Sequence, residues 1–230
     1  MKSTPISSPD EHRQVKSKER VAAHGEVFTA EREVNAMLDL VQQETERIDS
    51  RFLEPACGDG NFLIAILRRK MAVVAHESGK SRTDYERNTC RAVASIYGVE
   101  LLPDNAEQCR ARLFRYVVDC YRHAFPSVFP KGTAPQDNAF LRSVRYLLSR
   151  NIICGDALTY TTHEDEPIVF SEWTFIGEQV SRCDFRFNFL VEKTHVYSRI
   201  DKQGMLHRFD EPICSFPPIH FSQLYTYENQ

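Results

Sequence analysis

Leu53-Glu54-Pro55-Ala56-Cys57-Gly58-Asp59-Gly60-Asn61-Phe62 is the stretch on which the fold turns. The preceding residues, Arg51 to Glu54, read as a short strand closed by Pro55. The residues that follow, from Asn61 to about Ala75, read as a strongly apolar helix. A small-residue turn between strand and helix lets backbone approach a ligand at the carboxyl edge of an open α/β sheet. The loop differs from the phosphate-cradling G-x-G-x-x-G, which is built for negative charge. Here acids flank the turn, Glu54 on one side and Asp59 on the other, and they can accept from an ammonium group.

Two further strand ends follow in order. Tyr97-Gly98-Val99-Glu100-Leu101 closes a strand predicted over Ser95 to Glu100. An acid there is the expected partner of two ribose hydroxyls, and Leu101 can lie against an adenine face. Asn151-Ile152-Ile153-Cys154-Gly155-Asp156-Ala157-Leu158 closes the third, with Asp156 placed to accept from an exocyclic amine. Singly, each acid reads equally well as a surface carboxylate or helix cap. Three on successive strand tips suit one ligand that is cationic, hydroxyl-bearing and amine-bearing.

The intervening segments have helical periodicity. Thr29 is expected to cap a helix carrying Val34, Met37, Leu38 and Val41. Helices are predicted over Ser81 to Ala94 and Asn138 to Ser149. Another spans Asp104 to Ala124, where Ala106, Cys109, Leu113, Val117, Cys120 and Ala124 form one stripe. Alternation of strand and helix predicts a parallel α/β sheet. Residues 1–20 read as a flexible arm, 21–163 as the sheet-bearing domain, and 164–230 as an antiparallel, aromatic-rich extension. In that extension Pro167 to Trp173 and Asp184 to Leu190 alternate aromatic and polar residues. Thr194 to Ile200 and Met205 to Phe209 flank a hairpin turn, Asp201-Lys202-Gln203-Gly204.

Of the 230 residues, 42% are hydrophobic and 27% charged, which is ordinary for a globular chain. No apolar run is long enough for a bilayer and the N-terminus is polar, so the expectation is a cytoplasmic protein without a membrane partner. Seven cysteines without a C-x-x-C pair suggest reduced thiols; Cys57, Cys109, Cys120 and Cys154 fall at packed positions. With a net charge of −3, a DNA-gripping face would have to be local. Arg110, Arg112, Arg115 and Arg122, and separately Arg68, Arg69 and Lys70, are candidates, though solvated helix surface is the simpler reading. Trp173, Phe170, Phe175, Phe185 and Phe187 read as packing rather than base stacking. His195, His207, His220 and Asp210 read as loop residues, and no metal is expected.

Gly25-Glu26-Val27-Phe28-Thr29, Glu54 to Gly60, Gly98-Val99-Glu100 and Gly155-Asp156-Ala157-Leu158 together resemble motifs X, I, II and III. Those motifs belong to the gamma-type N6-adenine DNA methyltransferases of restriction–modification systems, and the resemblance runs from about Lys16 to Leu158. It implies a Rossmann-like methyltransferase fold with an incomplete sheet, S-adenosylmethionine as cofactor, and DNA as substrate if the chain is active. It places Phe28 and Thr29 on the cofactor's amino-acid portion, and Glu54, Ala56 and Gly58 around the methionine moiety. Glu100 falls on the ribose, Leu101 against adenine and Asp156 on the adenine amine, with Ala157 counted in the same site. One departure is Ala30, where the family usually has Pro.

The catalytic motif, Asp/Asn/Ser-Pro-Pro-Tyr/Phe, is not found. The nearest string is Ser215-Phe216-Pro217-Pro218-Ile219, which offers Ser215, Pro217 and Pro218 only as weak candidates and reads better as a Pro-Pro loop. An apolar residue stands where the amine acceptor belongs. Three functions therefore stay open: a DNA adenine methyltransferase, a catalytically silent cofactor-binding module or subunit of a partner chain or homo-oligomer, and a methyltransferase acting on RNA or another amine.

Overall fold

The computed structural model describes residues 17–24, 26–27, 29–188, 199–200, 206–207 and 212–229. Three short strands, β1 (Phe52–Glu54), β2 (Ile96–Glu100) and β3 (Ile152–Cys154), form a parallel sheet in that order. Glu54 stands opposite Gly98 and Glu100 opposite Cys154, so β2 and β3 end level while β1 stops two residues short of them. Preceding the sheet are α1 (Lys18–His24), α2 (Glu31–Asp39) and α3 (Gln42–Thr45).

Each crossover is a pair of helices: α4 (Asn61–Ser78) with α5 (Arg82–Ala94), then α6 (Pro103–Ala124) with α7 (Ala139–Asn151). Their starts are written locally. Ser81 and Asn138 cap α5 and α7 by accepting from the amides of Asp84 and Leu141. Pro103 opens α6, where its missing N–H leaves no intrahelical bond unmade.

Parallel strands must be covered on both faces. Ile96 of β2 joins the helical core of Leu63, Leu67, Val93, Leu113 and Leu147. Its neighbours Tyr97 and Val99 point the other way, into a second cluster with Ile168, Phe170 and Phe187. That cluster belongs to an antiparallel sheet of β4 (Val169–Ile176), β5 (Gln179–Arg186) and, after the small pair β6 (Arg199–Ile200) and β7 (Leu206–His207), β8 (Cys214–His220). Polar bonds fix the antiparallel sheet in place: the Tyr97 hydroxyl of β2 donates to the Ser171 carbonyl at 2.9 Å, and the Trp173 indole to Oδ1 of Asn151, the last residue of α7, at 3.0 Å. The mixed architecture of a parallel and a separate antiparallel sheet is as expected. Among the described residues no helix is long and apolar enough to cross a membrane.

Several expectations need correction. Thr29 does not cap α2; the cap position is Ala30, which offers no side-chain bond. Only Val34 and Leu38 of that helix are buried, whereas Met37 and Val41 are exposed. The stripe on α6 drifts through Val118 and Tyr121, leaving Cys120 half-buried and Ala124 exposed, because the aromatic cluster of Tyr85, Phe125 and Phe140 draws Tyr121 inward. The basic residues are less solvated than expected. Arg110 donates to the Ile152 carbonyl and Arg112 to Asn61, while Lys70 is fully buried. Residues 18–20, expected in the flexible arm, begin α1, and Arg20 ties that helix to Glu26 and Asp104.

The antiparallel strands also start elsewhere. β4 runs on to Ile176 and returns through Gly177-Glu178, a two-residue turn with Gly177 at φ 61°. Pro217 and Pro218 lie in β8 and not in a loop. The ladder shifts register opposite Val180 to Arg182, and a bulge on an outer strand is where missing N–H groups are tolerated. β6 and β7 pair antiparallel as the hairpin requires, while its turn lies outside the described residues, as do His195 and Asp210.

Candidate functional site

The strand-end loops are bonded into one rim. The Cys57 amide donates to the Val99 carbonyl at 2.9 Å, carrying the first loop across onto β2. Gly60, at φ 93°, then turns the chain into α4. A side chain could not stand at Gly60: its Cβ would fall 2.7 Å from the Cys109 sulfur on α6. A hydrogen bond to Cys109 and burial push the Cys57 thiol far above its ordinary range, so Cys57 packs the floor of the turn as a neutral thiol.

Glu100 is the hub. It is 7% exposed, and its carboxylate accepts from the Gly58 amide at 2.8 Å, the Leu102 amide at 3.0 Å and the Asn105 carboxamide at 3.3 Å. Its own carbonyl accepts from the Gly155 amide at 2.9 Å, which brings in the third loop. A carboxylate has about four acceptor positions. Among the described residues two bonds fall on Oε1 and one on Oε2, so Oε2 keeps an acceptor lobe that no protein donor fills.

Around this hub the other residues are placed as follows. Glu54 is half-buried, and desolvation raises its carboxyl pKa while the Ala56 amide pulls it down. Ala56 itself is exposed and Gly58 is half-buried. Asp156 turns Oδ1 back to the Leu158 amide at 2.8 Å, and its backbone amide bonds the Thr161 carbonyl at 2.8 Å. Two large apolar side chains stand open at this rim, Leu101 at 43% and Leu158 at 88% exposure. His163 holds the Leu101 carbonyl at 2.7 Å. Thr29 reaches the site through its carbonyl, which accepts from Asn61 at the start of α4 at 3.1 Å. Phe28 lies outside the described residues.

Two sequence candidates sit differently from the expectation. Asp59 faces Arg112 on α6 at 3.4 Å, so its charge is already met by a guanidinium. Ala157 packs towards the Tyr97–Ile168 cluster beneath β2. Ser215, Pro217 and Pro218 are not at the rim's hub. They belong to β8, and the order β4-β5-β8 puts β5 between them and the strand that meets β2. Ser215 contacts Cys183, and the Pro217 carbonyl accepts from Tyr227. His220 bonds Ser222 and Glu178, and no group of three metal-binding side chains occurs among the described residues.

Sequence reading missed Arg20, Glu26 and Asn105, which back the hub. Glu26 carries Arg20 on one side and the Asn105 carboxamide on the other. The signal was Leu101-Leu102-Pro103 directly after Glu100. It starts a helix beneath the acid and so brings Asn105, one turn on, to its carboxylate.

No protein-family profile matches the chain, and neither a curated protein nor a solved structure matches it.

Proposed function

We propose that this chain binds S-adenosylmethionine at the carboxyl rim of its parallel sheet, on the Rossmann-like cofactor half of a gamma-type N6-adenine DNA methyltransferase. One observation carries the reading: Glu100 bonds the first and third strand-end loops into a single rim and still has an acceptor position on Oε2. The acceptor set suits the ligand. Glu54 and Asp156 supply half-buried carboxylates for an ammonium and an exocyclic amine, Glu100 takes the ribose, and Leu101 and Leu158 offer apolar surface to a purine face. Thr29, Ala56 and Gly58 surround the methionine end, where Glu54 serves the ammonium better than Asp59, which Arg112 already neutralises. When bound, S-adenosylmethionine supplies a methyl group on a sulfonium, ready for transfer to a nucleophilic amine.

Calorimetry tests this reading. S-adenosylmethionine binds with a dissociation constant in about the micromolar range, Glu100→Gln weakens it about tenfold, and Asp156→Asn does so severalfold. Absence of binding in the parent protein, or equal affinity in Glu100→Gln, refutes it.

A second reading, a cofactor-binding subunit that transfers nothing alone, draws on the place of Pro217 and Pro218. They sit in the ladder of β8, and Phe216 precedes them where an amine acceptor would be needed. Labelled-methyl transfer to mixed DNA and RNA separates the two. Incorporation into DNA supports the adenine methyltransferase of a restriction–modification system, incorporation into RNA the RNA enzyme, and none the subunit.

A further inference from the structure

Asn105 is 1% exposed, one helical turn into α6, and its carboxamide nitrogen serves two carboxylates at once. It lies 2.5 Å from Glu26 Oε1 and 3.3 Å from Glu100 Oε1. The Glu26 side chain is itself 7% exposed, so two acids lie within reach of one amide in a nearly dry place. Like charges so close repel unless they are neutralised. Arg20 does this: it holds Glu26 in a two-pronged ion pair and spans to Asp104 at 2.9 Å. A chain of bonds therefore runs from α1 through Arg20, Glu26 and Asn105 to the acid at the centre of the rim.

The two legs from Asn105 are unequal. The shorter one anchors the carboxamide to Glu26, and the longer one touches Glu100 weakly. A vicinal diol offers two donors to a carboxylate. One fits the acceptor lobe left on Oε2, and the second needs the position on Oε1 that the long leg occupies. Because Asn105 is secured by Glu26, it can yield that position without losing its own burial partner.

We infer that Asn105 is the positioning residue of the nucleoside socket, holding Glu100 in the rotamer that receives a ribose diol and giving up its weak bond when the diol arrives. The inference rests on the nucleoside-binding reading of the same rim and adds the group that sets its preference for a ribose over a deoxy sugar. Glu26 acts through Asn105, and Arg20 holds Glu26 in place. The substrate class this selects is a ribonucleoside with both hydroxyls free.

The test compares adenosine with 2′,3′-dideoxyadenosine as competitors of S-adenosylmethionine in calorimetric titrations. The full-length parent protein is measured beside Asn105→Leu and Glu26→Ala. The parent prefers adenosine about tenfold, as expected for hydrogen bonds to a charged group. Asn105→Leu loses most of that preference while its affinity for the dideoxy compound stays within about twofold. Glu26→Ala, on the more accessible side of the chain, loses about a third to a half of the preference and carries the test if Asn105→Leu does not melt cooperatively. Equal weakening of both nucleosides in the variants reduces Asn105 to a structural residue and overturns the inference while the socket stands. A parent protein that binds S-adenosylmethionine and competes equally with both nucleosides also overturns it. One that binds none of the three ligands removes the socket and the inference together.

Discussion

Replacing Lys70 with Met probes the feature of the core least expected from its sequence. The ammonium donates to the carbonyls of Arg47, Ile48 and Ser50 at 2.9, 2.9 and 2.6 Å, and sits 5.2 Å from the centre of the Phe52 ring. Burial lowers its pKa to about 7, against the pull of Asp49 and Glu44. In the unfolded chain the amine keeps its ordinary value near 10.5. Between those two values the unfolded state holds the proton and the folded state does not, so stability rises with pH through this window and is lost as pH falls towards 7. Integrating from pH 7 to pH 10 gives about 3–4 kcal/mol.

Met keeps the stem's packing and removes this term. It also orphans two carbonyls, those of Arg47 and Ser50, because Ile48 still receives the Ser95 hydroxyl at 3.0 Å. Two orphans cost about 2–6 kcal/mol. At pH 7 the relief from burying an amine that favours its charged form in water, about 4 kcal/mol, offsets that loss, so the two proteins are close in stability. At pH 10 the variant is weaker by about the full penalty of the orphans. Urea melts at each pH, followed by the fluorescence of the single tryptophan, Trp173, measure the difference directly. Other groups titrating at alkaline pH are common to both proteins and cancel. Parallel stability curves from pH 7 to pH 10 would falsify the assignment of a depressed lysine.

Two further outcomes follow from close packing. Gly155→Ala puts a Cβ 2.6 Å from the Thr161 carbonyl and 2.9 Å from Ile168, and the first of these is backbone already bonded to the Asp156 amide. Thermal unfolding should fall by about 3–10 °C, as for overpacking of about 1–3 kcal/mol; an unchanged melt shows the third loop to be slack. Arg182→Met strips a guanidinium that is paired with Asp184, bonded to Ser171 and Tyr146, and stacked 4.2 Å over Phe216. Denaturant titration should show a loss of about 3–5 kcal/mol, partly recovered when Asp184→Asn is added. Arg150, 3.4 Å from Asp184, still faces that acid, so no recovery in the double variant means that packing, and not the weakened ion pair, sets the loss.

The parallel half of the fold was legible because its signals are local. A strand buried on both faces, such as Ile96 to Val99, is a short apolar run. The helices between strands announce themselves through Ser81, Asn138 and Pro103. The loop acids at positions 54, 100 and 156 fall at strand ends, where spacing alone finds them. What stayed hidden depends on partners far along the chain. Arg182 and Asp184 alternate along a strand as a solvent-facing pair would, and only the arrival of Tyr146 and Phe216 makes them interior. Lys70 sits in a basic triplet that looks solvated until the loop before β1 wraps its three carbonyls around it. Asp59 reads as an open acid until α6 brings Arg112 beside it. Pro217-Pro218 reads as a loop because prolines break ladders, and the register shift that accommodates them appears only where β8 pairs with β5.

That register shift bears on how the protein behaves when crowded. An outer strand normally presents a row of amide donors to which a neighbouring molecule can stitch its own backbone. Two adjacent residues without N–H interrupt that row in the middle of β8, and the bulge twists what remains out of line. Along the described part of β8, therefore, the outer edge offers another backbone no continuous row of donors.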